Sequence, residues 1–511
     1  MRAGVLFSLL ACTYAFAQPA IRVNLPVGHV AAASRLAHGY NCAFFERGLC
    51  DALNDPATGR ALADTLRTMG VTGLRFPGGS FTYWYPHLRS GLAAFKAAGF
   101  AEASYNMWWP EKFGWASESS FFAFCRQAGI TAWYEVNPGH FYDAKADRVR
   151  QIAPMKRAKP MHAVAYDSGA YLPLALEHVR QLVTGCRQTG VDVVWEIGNE
   201  YYVYFDPEEY AHTSAAFIKA IREADPSARV AVCGDCESWS TRDWQKRMLP
   251  ALRKAGVERL EFASVHCYLQ GVGEWREGQW HPFPRDTGEQ LFTASARAWP
   301  LIRGMYDEFR QILATNGYPA TKLAFTEFNV VYPSKDWNAK LEHSLGRALG
   351  EAAMYPNLAA YSGAVFFHDL VRSGPGEGNW FQRLDYHPES PPDQRYRLQM
   401  DAQVMRMVSR HARGRILYDS GDGVCVSCTD SDLYITIASP KGSARTVALA
   451  VPPTACRRDK CEGETLSCSS LEATEYDYRL TKSAFTSPAA VPLTLTAPPY
   501  SFVACRFPLV R

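Results

Sequence analysis

Residues 193–200 read VVWEIGNE, and two tyrosines, Tyr201 and Tyr202, follow. Three apolar residues lead to one carboxylate, Glu196. Ile197, Gly198 and Asn199 then lead to a second, Glu200. A short apolar run of this kind reads as a strand buried on both faces. Polar residues where a strand reaches water are commonplace, so the meaning of Asn199-Glu200 depends on what ends the other strands.

Seven further runs share this texture: GYNCAFFE (39–46), TGLRFPGG (72–79), ITAWYEVN (130–137), ARVAVCGD (228–235), FASVHCY (262–268), KLAFTEFN (322–329) and YSGAVFFH (361–368). Between them lie segments such as ALADTLRTMG, SSFFAFCRQAG and LALEHVRQLVTGCRQTG. Each spaces its apolar residues three and four apart and closes on glycine, a common helix terminator. Strand–helix alternation repeated eight times predicts parallel strands joined by crossover helices. The fold class is α/β: a (β/α)8 TIM barrel over 31–412, with a doubly wound open sheet as the alternative. From about Arg415 the texture changes to short alternating runs split by Gly, Pro, Ser and Asp: RILYDSG, VCVSCT, LYITIAS, TVALAVP, LTLTAP and YSFVACRF. These predict a C-terminal β-sandwich over 413–511. Residues 18–30 supply a strand that joins it, and the helix in RLQMDAQVMRMVSRHARG bridges the two parts.

Composition excludes several classes. The net charge of +3 over 511 residues gives no footprint for nucleic acid or an anionic membrane. The apolar run Val5–Ala11, preceded by Arg2 and followed by Ala15-Phe16-Ala17, reads as a signal peptide over 1–17 rather than a membrane span. A secreted or periplasmic protein follows. Of 14 cysteines, Cys12 lies in that leader and six cluster in the tail (Cys425, Cys428, Cys456, Cys461, Cys468 and Cys505), which suits disulfide bonds in an oxidising compartment. Cys233-x-x-Cys236 lacks a second ligand pair at zinc spacing and reads as structural.

Chemistry in such barrels sits at the C-terminal strand ends. Here those ends carry Glu46, Arg75, Asn137, Asn199-Glu200, His266-Cys267-Tyr268 and Glu327-Phe328-Asn329. Carboxylates on the fourth and seventh strands face each other across the mouth. That is the pair retaining glycoside hydrolysis requires, one acid/base and one nucleophile about 5–5.5 Å apart. Glu196, four residues before Glu200 and deeper in the barrel, reads as a structural, paired carboxylate.

The ordered set across five strands resembles clan A of the glycoside hydrolases. GYNCAFFERGLC, LRFPGGSFTYWY and the closing PPYSFVAC resemble the α-L-arabinofuranosidase families, and the Arg-Phe-Pro-Gly-Gly stretch also looks like the heparanase and β-glucuronidase group. The resemblance implies that Glu200 is the acid/base and Glu327 the nucleophile. It also implies that Arg75 holds Glu327 ionised, Tyr268 donates to Glu327, and His266 lines the same wall. Asn199 is then placed on the sugar 2-hydroxyl and Glu46 on hydroxyls of the non-reducing sugar. Asn137 joins the substrate-binding set. Arg75 alternatively pairs structurally with Glu46 or Glu196, and His266 alternatively packs in the core. Trp84, Tyr85, Trp108 and Trp109 stack on sugar faces or serve as packing. Phe328-Asn329, Tyr201-Tyr202 and Phe367-His368 depart from the pattern of these families.

The implied function is a secreted retaining glycoside hydrolase of the arabinofuranosidase-like kind, acting on polysaccharide or its side chains without cofactor or metal. A heparanase-like β-glucuronidase or an endo-glycanase is the alternative, and a non-catalytic carbohydrate-binding barrel the alternative of another class. No HExxH or similar ligand cluster supports a metal-dependent hydrolase.

Overall fold

The computed structural model describes residues 21–22, 24, 36–44, 46–79, 82, 116–138, 142–143, 148–149, 171–203, 206–235, 243–269, 272–277, 279–330, 341, 343–371, 383–451, 456–457, 461–474, 476–485 and 493–510. The leader, Trp84, Tyr85, Trp108, Trp109 and Cys236 lie outside them.

Eight strands close a parallel barrel: β1 (Leu36–Asn41), β2 (Gly73–Phe76), β3 (Thr131–Val136), β4 (Val193–Ile197), β5 (Arg229–Cys233), β6 (Phe262–Tyr268), β7 (Lys322–Asn329) and β8 (Ala364–Phe367). Sequence neighbours pair in order, and β8 closes on β1. β2, β3, β4 and β8 are buried at every position, as strands covered by helices on one face and packed inward on the other must be. Inside the barrel Trp133, Val194, Ala231, Phe262, Ala324, Ala364 and Phe366 form their own apolar cluster.

The helices start and stop where their sequences say. Asp55 caps α2 (Pro56–Met69) through Thr58 N, Pro56 occupies the first turn where no donor is needed, and Gly70 ends it in the left-handed region. Ser117 and Gly129 bracket α3 (Glu118–Ala128) in the same way. The helix α1 (Arg47–Asn54) accounts for one displaced expectation. β1 stops at Asn41, and Glu46 is the N-cap of α1 rather than the last residue of a strand. Later come α4 (Tyr171–Thr189), α5 (Pro207–Ala224), α6 (Asp243–Lys254), α7 (Gly288–Thr315) and α8 (Leu345–Tyr361). No described helix is long and apolar enough to cross a membrane.

After α9 (Met400–His411) the tail forms two sheets. One holds β9 (Arg415–Asp419), β10 (Val424–Cys428), β11 (Asp432–Ser439), β13 (Cys461–Ser467), β14 (Arg479–Phe485) and β16 (Ser501–Pro508), all antiparallel, in the order β9-β10-β11-β16-β13-β14. The other pairs β12 (Arg445–Ala450) with β15 (Leu493–Ala497), and Ile21–Arg22 adds to β12 in parallel. β13 and β14 escaped the sequence reading because CEGETLS and RLTKSAF carry little apolar alternation. The expected tail disulfides are corrected here: Cys425, Cys428, Cys461, Cys468 and Cys505 are free thiols. Four of them pack as small hydrophobes in buried strands, and the fifth, Cys468, lies 3.7 Å from Met400 Sδ.

Candidate active site

Glu200 is aimed by a strained turn. Beyond β4, Gly198 adopts φ +76°, and a Cβ there would lie 2.4 Å from the Tyr201 ring. Glu200 itself sits at φ +48°. A non-glycine residue there costs on the order of 1 kcal/mol or more, a cost that local packing must offset. Tyr201 is fully buried and donates to Asn137 Oδ1 at 3.0 Å, which fixes the turn from below. The Glu200 carboxyl, a quarter exposed, accepts from Tyr202 Oη at 3.2 Å and faces His266 Nδ1 at 2.7 Å.

Glu327 stands across the mouth on β7, in register with His266 of β6, where the ladder shifts between Phe325 and Glu327. Such irregularities re-aim a side chain. Its Oε2 accepts from Tyr268 Oη at 2.5 Å and its Oε1 from Arg75 at 3.1 Å. Gly79 leaves the room: at φ +59°, a Cβ there would come within 2.7 Å of Glu327 Oε1. Burial alone would push this carboxyl up. The positive charges of His266, His368 and Arg75, with the Tyr268 hydrogen bond, instead hold it down at about 2.

His266 lies between the two glutamates, 2.7 Å from Glu200 Oε1 and 3.4 Å from Glu327 Oε2. Burial opposes its charge, but Glu327 and the contact with Glu200 raise it to about 9. The imidazolium therefore persists at neutral pH, with Nδ1 donating to Glu200. One oxygen from each glutamate and the His266 nitrogen all lie within 4.8 Å of one another. That spacing also suits a divalent cation.

The raised His266 carries a signed prediction. A histidine whose folded value stands above its ordinary 6.5 stabilises the fold fully below pH 6.5, and the contribution is lost as pH rises through about 9. A shift of this size corresponds to about 3 kcal/mol at most. The melting temperature should fall between pH 6.5 and 9 in the wild type, and Glu327→Gln or His266→Gln should flatten that fall. An identical slope in all three proteins would contradict the arrangement.

Arg75, fully buried, is the hub beneath both glutamates. Its five N–H groups are all engaged. Nε and Nη2 fork onto Glu196 at 2.7 and 3.2 Å, Nη1 reaches Asn41 Oδ1 at 2.8 Å and Glu327 at 3.1 Å, and Nη2 also reaches Asn199 Oδ1 at 2.8 Å. Glu135 Oε1 lies a further 2.8 Å away. Arg75 thus joins the two roles the sequence left as alternatives, structural partner of Glu196 and electrostatic partner of Glu327. All of its donors are spent on these protein oxygens. Glu196 is paired as expected and also accepts from Trp133 Nε1 at 2.6 Å.

Glu135 is the residue the sequence reading missed. It pairs across strands with Glu196, and its Oε2 accepts from the backbone of Gly78 at 2.9 Å and Gly79 at 3.0 Å. Burial outweighs the Arg75 charge and lifts it to about 7. A carboxylate inside the otherwise apolar TAWYEV run was the available signal.

Of the expected substrate residues, Asn199, His266 and Tyr268 gather with Glu200 and Glu327. Asn137 lies one layer down, 2% exposed and bonded to Tyr201. Glu46 is 1% exposed, toward the junction of β1 and β8. Trp84 and Trp108 fall outside the described residues, so no placement for them follows.

No protein-family model matches the chain. It is 22% identical over 284 residues to an intracellular exo-α-(1→5)-L-arabinofuranosidase of Streptomyces lividans, an alignment that takes in 53% of this chain and 37% of that protein. The chain thus matches well under two thirds of that relative's length. Among solved structures, the α-L-arabinofuranosidase of Thermotoga maritima superposes with a TM-score of 0.63 at 14% identity, covering 96% of this chain and 100% of that one. A monomeric β-xylosidase of Caulobacter crescentus superposes at 0.55 with 13% identity over 96% and 100%. In fold across nearly the whole chain, and in sequence across half of it, the proteins this chain resembles are arabinofuranosidase-like glycoside hydrolases of clan A.

Proposed function

We propose that this chain is a secreted, retaining exo-glycosidase of the α-L-arabinofuranosidase type, acting on polysaccharide or its side chains by double displacement. One observation carries the mechanism: oxygens of Glu200 and Glu327 lie within 4.8 Å of each other. That leaves no room for the water an inverting enzyme places between its carboxyls. Glu327, held ionised, attacks the anomeric carbon while Glu200 protonates the departing oxygen. A glycosyl ester on Glu327 results. Glu200, now a carboxylate, takes a proton from the water that cleaves the ester, and configuration is restored. Tyr202 and His266 keep the Glu200 carboxyl on the leaving-group side throughout.

The test is a panel of nitrophenyl glycosides and polysaccharides with products sized. Release of L-arabinose alone from branched arabinan supports the reading, and a ladder of oligomers overturns exo action. Activity should survive exhaustive chelation, whereas loss restored by a divalent ion would overturn the two-glutamate mechanism. Export rests on the N-terminal run, and the Streptomyces relative is intracellular by name. N-terminal sequencing of the expressed protein should begin at Gln18, and an uncleaved chain in the cytosol would contradict it.

A further inference from the structure

Glu46 presents a problem of its own. It is 1% exposed, and neither carboxyl oxygen has a side-chain donor among the described residues; the backbone N–H of Ala43 leans toward it without closing a well-formed hydrogen bond. A buried carboxylate left so is costly. What faces it is another carboxyl. Asp369 lies two residues beyond β8, where Leu370 N bonds Asn41 O of β1, and its side chain lies within hydrogen-bond reach of Glu46. One Asp369 oxygen accepts from Leu370 N at 2.7 Å. Two ionised carboxyls offer only acceptors, so this contact is a bond only if one of them carries a proton. The other groups that face the pair are the thiols of Cys42 and Cys50, His368, and the Glu327 carboxylate. Glu327 favours the proton and His368 opposes it, while the thiols stay uncharged. Burial and mutual repulsion lift Glu46 well above the ordinary range, and Asp369 is raised as well. Asp369 is half-buried, next to a nucleophile whose charge it feels, while Glu46 is closed in behind it.

We propose that Glu46 and Asp369 share a single proton and form one hydroxyl-gripping unit of the sugar site, with Asp369 the member that meets the substrate. The inference rests on the glycosidase reading for its ligand, a neutral sugar with adjacent hydroxyls. A pair holding one proton offers a donor and acceptors side by side, which is what a vicinal diol needs, and it repels an anionic sugar. The grip is present while the proton is held. As pH rises and the proton leaves, two negative charges face each other and the donor is gone. KM should then climb on the alkaline side, and it is this KM rise, separate from the loss of kcat as Glu200 and His266 give up their protons, that reports the pair.

The first measurement needs no activity: infrared difference spectra, at neutral pH, of wild type against Asp369→Asn and against Glu46→Gln. Each variant should lose the same protonated-carboxyl carbonyl band, and the double variant should lose no more. No band lost in either variant overturns the shared proton, and having two variants covers the misfolding of one. The second measurement uses whichever nitrophenyl glycoside the panel finds. Asp369→Ala should raise KM about 10- to 100-fold, the range for losing a hydrogen bond to a charged group. Asp369→Asn, whose amide does not titrate, should flatten the alkaline rise in KM. An unchanged KM in Asp369→Ala, or an alkaline limb untouched by Asp369→Asn, overturns the proposal. Hydrolysis of no glycoside at all would sink the glycosidase reading, and the infrared result would still decide the proton.

Discussion

Glu327→Ala loses turnover by a factor on the order of 10⁶ on every substrate, the scale of loss when a covalent nucleophile is deleted. The reason is specific to this site. Tyr268, Arg75 and His266 all converge on the Glu327 carboxylate. None of them can itself attack carbon. Glu200→Ala should fail differently. General acid catalysis contributes about 10²- to 10⁴-fold, so the variant should lose that much on natural linkages. It should lose far less on aryl glycosides whose leaving groups need no proton. Added azide should restore part of its turnover, because an anionic nucleophile attacks the glycosyl ester on Glu327 directly and needs no base to activate it. Equal losses of the two variants on both substrate types would contradict the roles assigned.

Arg75→Met carries the largest expected effect on stability. It leaves Glu196, Glu135 and Glu327 buried together with no arginine among them. Removing one partner of a buried ion pair costs about 3–5 kcal/mol, because uncompensated charge remains. The carboxylates will respond by taking up protons. Glu327, no longer facing Arg75, should rise from its depressed value, so the acid limb of kcat/KM should move to higher pH. Arg75→Lys keeps the charge but gives three donors where five are used, and should recover only part of either loss. Urea unfolding and a pH–rate profile together check this. An Arg75→Met protein as stable as the wild type would mean that the hub does not hold the barrel mouth together.

The barrel was legible because its strands are buried on both faces, and burial on both faces writes itself as a continuous apolar run. KLAFTEFN and FASVHCY were bounded correctly, residue for residue. GYNCAFFE was not, because an apolar stretch reads the same whether it pairs in a ladder or turns into a helix. Glu46 was therefore placed on a strand when it caps a helix. The cluster at the strand ends was legible as residue types: two carboxylates, an arginine, a histidine and a tyrosine. Their wiring was not. That Arg75 spends all five donors on five oxygens, or that Asp369 meets Glu46, depends on three-dimensional proximity across 34 to more than 300 residues of chain. Cysteine counting misled for a related reason: a buried thiol and a bridged one occupy the same kind of core position.

Following the anomeric proton by NMR through the first minutes of hydrolysis tests the central claim most directly. On the proposed mechanism the short separation between Glu200 and Glu327 has Glu327 attack carbon itself, so the first sugar released should keep the configuration of the substrate and only later mutarotate. A first-formed product of inverted configuration would show that a water, and not Glu327, attacks the sugar.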